Sequence, residues 1–263
     1  MYCRANLFKI DDMDNTTNKL PPPMPVRLQF AADKSPVTYT LLGINVVIYL
    51  AQLGSLYLLG FDLPAELGLK VNELIAQGQL WRLLTPMFLH GSIIHIGFNM
   101  YALYVIGRGL ERTYGHGRFL TLYILSGFAG NVVSMLFSPN PSLGSSTAIF
   151  GLLAAEGVFF FQNRKFYGDS AQKALVNIVS IALVNFIIGL SPGIDNWGHL
   201  GGFLGGILFA WLGGPLLQVT PVYEDIPPYL RLADARQFQQ VALAGLVVVV
   251  MFTIAAAGGI YIR

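Results

Sequence analysis

The chain has 263 residues, 54% of them apolar and only 11% charged, where an ordinary soluble domain carries roughly 25% charged residues. That composition excludes a soluble globular enzyme and equally a disordered chain. A net charge of +2 without a basic tract leaves no nucleic-acid footprint. The single cysteine, Cys3, excludes an internal disulfide and a thiolate zinc cluster, and no metal is expected. Any chemistry must come from Ser, His, Asp, Glu or Asn.

A bilayer core needs about 20 apolar residues per helical span. Charge-free stretches of that length run from Ser35 to Phe61, Leu83 to Gly107, Phe119 to Ala155, Ala174 to Ile194, Asn196 to Tyr223 and Gln237 to Ile262. The third is too long for one crossing, and Ser138-Pro139-Asn140-Pro141-Ser142 splits it in two. Seven spans are therefore predicted, near 37–60, 90–108, 118–137, 146–162, 174–190, 197–217 and 241–262. They divide the chain into an N-terminal segment 1–36, a six-span core 37–217, a linker 218–240 and an additional helix 241–263.

Cytoplasmic loops collect Lys and Arg. With a cytoplasmic N-terminus, that side holds the five basic residues before position 35, then Arg108, Arg112 and Arg118, then Arg164, Lys165 and Lys173, then Arg231 and Arg236. Only Lys70, Arg82 and Arg263 remain for the other side. The N-terminus is expected inside, the C-terminus and the loop 61–89 outside, and the linker 218–240 in the cytoplasm. The N-terminal segment carries four Asp and Pro21-Pro22-Pro23, with no apolar run of secretory-signal length. The Asn15-Thr16-Thr17 sequon is read as chance. The loop 61–89 is half apolar and is expected to lie in the membrane interface.

Ionisable and polar groups inside spans are costly and mark candidate sites. In the second span His95 and Asn99 stand four apart on one helix face, with His90 at its outer mouth. The pair fits either a reactive site or hydrogen-bonded glue between helices. The fourth span opens Gly144-Ser145-Ser146-Thr147; a serine there sits among the unsatisfied N–H groups of a helix start, where it serves either as a nucleophile or as a cap. The sixth span reads Asn196-Trp197-Gly198-His199, with glycines at 198, 201, 202, 205 and 206 that form a face without side chains. Gly151, Ala154 and Ala155 give the fourth span a matching small face, so these two spans are expected to pack together.

All three spans run from outside to inside, and in each the polar residue falls in the first turns, which puts His95, Asn99, Ser146 and His199 roughly 5–15 Å below the outer surface. A shared depth fits acyl transfer. His199 is the base that activates Ser146, and His95, Asn99 and the Ser146 N–H face the oxyanion. Asp195 lies a turn outward of His199 and Glu156 about 15 Å deeper than Ser146, so a dyad is read rather than a triad. Glu156 has no role in this scheme beyond a hydrogen bond to another helix.

These residues resemble the rhomboid family of intramembrane serine proteases over about residues 37–217. The family's Trp-Arg pair matches Trp81-Arg82, its His-x4-His-x3-Asn matches His90, His95 and Asn99, its Gly-x-Ser matches Gly144-Ser145-Ser146, and its His-x2-Gly-x3-Gly matches His199, Gly202 and Gly206. The resemblance implies an all-α polytopic membrane protein, a six-helix bundle plus one C-terminal transmembrane helix. It implies Ser146 as nucleophile, His199 as base, His95 and Asn99 as oxyanion donors, His90 as a more structural residue at the mouth, and Glu111 as a structural carboxylate. It also implies no cofactor, single-span membrane proteins in the lipid bilayer as substrates, and, with the charge bias, a bacterial plasma membrane. Thr147 stands where the family often has Gly, and narrows access or offers a second hydroxyl. The aliphatic run 241–262 is expected to be a lipid-exposed appendage.

Two other readings compete. A non-catalytic relative that binds transmembrane helices would be expected to lack one member of the dyad, and both are present here. A transporter using the histidines for protons would be expected to show an internal repeat and polar residues through the whole bilayer.

Overall fold

The computed structural model describes residues 26–223 and 229–262. Cys3, the sequon at Asn15 and Pro21-Pro22-Pro23 lie outside the described residues. Seven long helices follow the predicted order: α1 (Pro36–Leu59), α4 (Ile93–Tyr114), α5 (His116–Phe137), α6 (Ser146–Gln162), α8 (Asp169–Ile188), α9 (Asn196–Gly213) and α10 (Phe238–Ile262). Short helices α2 (Leu63–Gly68) and α3 (Asn72–Ala76) and two 3₁₀ turns fill the first loop, and α7 (Arg164–Tyr167) links α6 to α8. The chain is an all-α polytopic membrane protein. α1, α5, α8 and α10 are each long and apolar enough to cross a bilayer. α4, α6 and α9 fall short in length or apolarity, and they are the helices that carry His95, Asn99, Ser146 and His199.

Two boundaries differ from expectation for local reasons. His90 precedes α4 rather than lying on it, because Ser92 takes an extended conformation and its side chain accepts the His95 N–H at 3.1 Å as the cap. α9 stops at Gly213, where Gly213-Gly214-Pro215 cannot extend a helix. Beyond it, the expected linker contains two strands, β2 (Leu217–Val222) and β3 (Tyr229–Asp234), and β1 (Val26–Leu28) joins them in the order β1-β3-β2. β1 runs parallel and β2 antiparallel to β3. The small sheet is tied to the bundle end at which α4, α6 and α9 finish. Arg118 pairs with Asp234 at 2.8 Å, and the Asn163 carboxamide accepts from the Leu217 N–H and donates to the Pro215 carbonyl.

α9 lies wedged between α5 and α6. Its glycines form two adjacent faces rather than one. A Cβ on Gly205 would fall 2.6 Å from the Ala129 Cβ of α5, and one on Gly201 would meet Val133 and the Ala129 carbonyl. On the α6 side, a Cβ on Gly202 would collide with the Thr147 carbonyl and one on Gly206 with the backbone of Gly151. The helix backbones are therefore in direct contact, which side chains would forbid.

α10 is more than a lipid-exposed appendage. Ala244, Val248, Phe252, Ala256 and Gly259 form a buried seam at helical spacing, and α10 packs on α5 and α9. Gly213 leaves room for the Ala244 methyl, and Gly259 for Leu136.

Glu111 holds the start of α1. Ser35 makes no side-chain cap, and the fully buried Glu111 carboxylate of α4 instead accepts the Val37 N–H at 3.0 Å, the Thr38 N–H at 2.7 Å and the Thr38 hydroxyl at 2.6 Å. His116 Nδ1 lies 2.6 Å from the same group. A carboxylate at a helix N-terminus complements the orphan N–H groups and the dipole.

Glu111→Gln presents an NH₂ to these donors and is expected to destabilise the protein by about 2–3 kcal/mol. Thermal unfolding in detergent checks this, with the exposed Glu66→Gln as control; an unchanged midpoint for Glu111→Gln contradicts the assignment. Gly206→Ala forces α6 and α9 apart and is expected to cost about 1–3 kcal/mol in the same measurement.

Candidate active site

Ser146 is the first residue of α6, and Gly144 and Ser145 set its approach. Gly144 takes φ +136°, and its N–H donates to the Pro86 carbonyl at 2.9 Å. A Cβ there would sit 2.8 Å from the His95 imidazole, so only glycine lets His95 lie over the start of α6. Neither adjoining serine serves as a side-chain cap for α6: Ser145 as N-cap makes no such bond, and its Oγ lies 3.2 Å from His90 Nε2.

The Ser146 Oγ instead lies 2.9 Å from His199 Nε2. His199 is one turn into α9, and its depth follows from the glycine contacts that bring α9 against α6. Its ring is stacked on Phe150, with centroids 4.3 Å apart and planes 12° from parallel. His199 Nδ1 is buried and has no hydrogen-bond partner among the described residues. Asp195, the nearest carboxylate along the chain, is otherwise engaged. It caps α9 by accepting the Gly198 N–H at 3.0 Å and also accepts from the Ser134 hydroxyl of α5. An aromatic face, rather than an acid, orients the imidazole.

Ser146 and His199 line a cleft of about 710 Å³ that also receives His95 and Asn99. Asn99 is buried, and its Nδ2 has no partner among the described residues. An unsatisfied buried amide costs roughly 1–3 kcal/mol, so an acceptor brought into the cleft could satisfy the Asn99 donor. The first N–H groups of α6 likewise have no intrahelical acceptor. The lower walls of the cleft are apolar, from Phe98 and Ile106 of α4, Leu153 of α6 and Ile181 of α8. The cleft thus sets polar side chains beside an apolar flank.

His90 stands behind this floor rather than in it. It is buried, its ring meets the His95 ring edge-on at 5.2 Å, and Gln52 of α1 holds its backbone from both sides, accepting its N–H at 3.0 Å and donating to its carbonyl at 3.2 Å. Thr147 is also buried, and its methyl packs toward Gly198 and Gly130. Its Oγ1 has no partner among the described residues. Glu156 lies ten residues beyond Ser146 near the far end of α6, away from the cleft-lining residues. Arg82 organises the first loop, donating to the Gln79 side chain and to the carbonyls of Leu69 and Glu66, while Trp81 Nε1 donates to the Leu67 carbonyl. Lys70 pairs with Ser142 through reciprocal backbone bonds, which fasten that loop to the segment leading into Ser146.

Phe150, Gln52 and Ser134 have no part in the sequence reading. Phe150 carried a signal, as an aromatic residue four positions after the serine and hence on the same helix face. Gln52 is an uncharged polar group in the middle of a span, which hydropathy averages away. No metal-binding group of three or more His, Cys, Asp or Glu occurs among the described residues.

Residues 77–216 match the Rhomboid domain family, more than half of the chain. Among curated proteins, the rhomboid protease GluP of Bacillus subtilis (strain 168) is 46% identical over 144 residues, covering 54% of this chain and 28% of that protein. RHOMBOID-like protein 4 of Arabidopsis thaliana is 39% identical over 157 residues, 59% of this chain and 39% of its own. RHOMBOID-like protein 7 of the same plant is 40% identical over 154 residues, 58% of this chain and 48% of its own. The matched stretch thus spans less than half the length of each of these relatives. The matched region runs from the loop before Trp81-Arg82 through the whole of α9, and so includes every residue that lines the cleft. The chain belongs to the rhomboid family.

Proposed function

We propose that the chain is an intramembrane serine endopeptidase that cleaves single-span membrane proteins within or near their transmembrane segment. The observation that carries this reading is the 2.9 Å contact between Ser146 Oγ and His199 Nε2 at the floor of a cleft beside the unpartnered Asn99 amide. The relationship to a protein named as a rhomboid protease supports it.

In this mechanism His199 Nε2 takes the Ser146 proton as Oγ attacks the scissile carbonyl carbon. The carbonyl oxygen becomes an oxyanion that accepts hydrogen bonds from Asn99 Nδ2, the His95 imidazole and the Ser146 N–H. His199 then gives its proton to the departing amine, and an ester links Ser146 to the new carboxyl end. Water, deprotonated by His199, attacks that ester and releases it. Phe150 keeps the imidazole facing Ser146 through both halves. His90, held by Gln52 and Ser145, supports the His95 ring, and Thr147, whose hydroxyl has no imidazole against it, takes no part in the attack. Residues 37–217 form the catalytic core, and α10 buttresses α5 and α9.

The same reading gives the topology. The site lies at the end of the bundle opposite the sheet, and Arg27, Arg112, Arg118, Arg231 and Arg236 gather at the sheet end. By the charge rule the sheet end is cytoplasmic and the cleft opens outward, with the C-terminus outside. A substrate helix reaches Ser146 from the bilayer on that side.

Ser146→Ala and His199→Ala are each expected to reduce cleavage of a tagged single-span reporter in proteoliposomes to background. Asn99→Ala, which removes one oxyanion donor, is expected to lower kcat about 10²–10³-fold. Undiminished cleavage by Ser146→Ala overturns the proposal, and an unchanged rate for Asn99→Ala removes that residue from the oxyanion site.

A further inference from the structure

Away from the cleft, at the sheet end of the bundle, a groove of about 750 Å³ runs between the start of α1 and the last turns of α4. Its polar wall carries three cations, Lys34, Arg108 and Arg112, and one carboxylate, Asp33. Arg108 and Arg112 are four apart and share one face of α4. The ion pairs among the described residues are Glu111 with His116 and Arg118 with Asp234, so neither guanidinium in the groove has a carboxylate partner. Each instead lies over an aromatic ring, Arg108 over Tyr104 at 4.7 Å and Arg112 over Phe30 at 4.5 Å. This stacking holds the planar groups in place, and among the described residues their N–H donors have no hydrogen-bond partner.

Beside the charges the wall carries exposed apolar surface: Val105, with Tyr39 and Tyr104 meeting edge-on at 6.4 Å. In a protein that crosses a bilayer these side chains face lipid, and tyrosines at a helix end sit at headgroup level. A cationic pocket at the interface that continues into an apolar helix face matches a molecule with an anionic head and hydrocarbon tails. Two adjacent guanidinium forks suit phosphate oxygens in particular, since each fork can donate in parallel.

We propose that this groove is a binding site for an anionic phospholipid of the leaflet bordering the sheet, its phosphate held by Arg108 and Arg112 with Lys34 alongside and its chains lying along Val105 and the tyrosines. Glu111, which fastens α1 to α4, stands between the two arginines in sequence and fixes the separation of the groove walls. The occupant therefore reports on the α1–α4 pair. The site lies outside the cleft, so it is tested by binding and stands whether or not the chain cleaves peptides.

The test is native mass spectrometry of the full chain in detergent, titrated with phosphatidylglycerol or phosphatidylcholine of the same acyl composition. The unmodified chain is expected to retain phosphatidylglycerol in preference to phosphatidylcholine. Arg108→Gln/Arg112→Gln is expected to weaken phosphatidylglycerol binding roughly tenfold or more, from the worth of basic residues beside anionic lipid. Arg164→Gln/Lys165→Gln, the same charge loss at α7, is expected to leave it unchanged. Equal losses in the two double variants, or equal retention of both lipids, overturn the proposal. Displacement of phosphatidylglycerol by millimolar glycerol phosphate also overturns it, since that marks a site for soluble phosphate. Should Arg108→Gln/Arg112→Gln fail to fold, a photoreactive phosphatidylglycerol on the unmodified chain decides the matter: crosslinks at residues 34–39 and 104–112 support the site, and labelling confined elsewhere contradicts it.

Discussion

Backbone-to-backbone contact between α6 and α9 is the constraint on which the rest of this structure depends. Gly202 and Gly206 meet the Thr147 carbonyl and the Gly151 backbone at distances no side chain tolerates, while Gly201 and Gly205 do the same against α5. In a bilayer the hydrophobic effect does not drive helices together, so close packing and interhelical hydrogen bonds carry the association. The contact has a chemical result. The first turn of α9 is brought beside the first turn of α6, and His199 reaches Ser146 at hydrogen-bond distance. A helix pair at ordinary separation, 8–10 Å between axes, would leave more room between those side chains than one hydrogen bond spans.

The polar interior is a second layer built on that packing. Helices α4, α6 and α9 are too short or too polar to qualify as spans alone, and helices long and apolar enough to cross accompany them: α1 and α5 beside α4, α5 and α10 beside α9, α8 beside α6. Within this shield the backbone ends that would be costly in hydrocarbon are satisfied by side chains from elsewhere in the chain. Glu111 serves the start of α1, Asp195, itself held by the Ser134 hydroxyl, the start of α9, and Gln52 the backbone of His90. Several buried polar atoms still lack a partner among the described residues, and of these Asn99 Nδ2, Thr147 Oγ1 and His199 Nδ1 belong to residues that line the cleft with Ser146.

Much of this was legible in the amino-acid order. Gaps between charges located the seven long helices to within a few residues at most ends, because a charge is costly in hydrocarbon, although α4 runs on past Arg108 and α8 begins before Lys173. The spacing of His95 and Asn99, the serine after Gly144 and the glycine run after His199 located the side chains of the cleft. Other features were hidden for stated reasons. The sheet joins β1 to β3 across about 200 residues, and neither strand carries a hydropathy signal of its own. The doubled glycine face of α9 reads as one face until its two neighbours are known. Phe150 shares a helix face with Ser146, but one aromatic residue in an apolar span does not show that it stacks on an imidazole from another helix, and the seam of α10 is masked by its aliphatic surroundings.

The central claim is that Ser146, and neither adjoining hydroxyl, is activated by His199. Ser145 is engaged with His90, and Thr147 is packed against glycine. The most direct measurement is peptide mapping after treatment of the folded chain with a fluorophosphonate, which phosphonylates an activated serine by displacing fluoride. The account predicts a single adduct on Ser146 that is lost in His199→Ala. An adduct on Ser145 or Thr147, or labelling of Ser146 undiminished in His199→Ala, would contradict it.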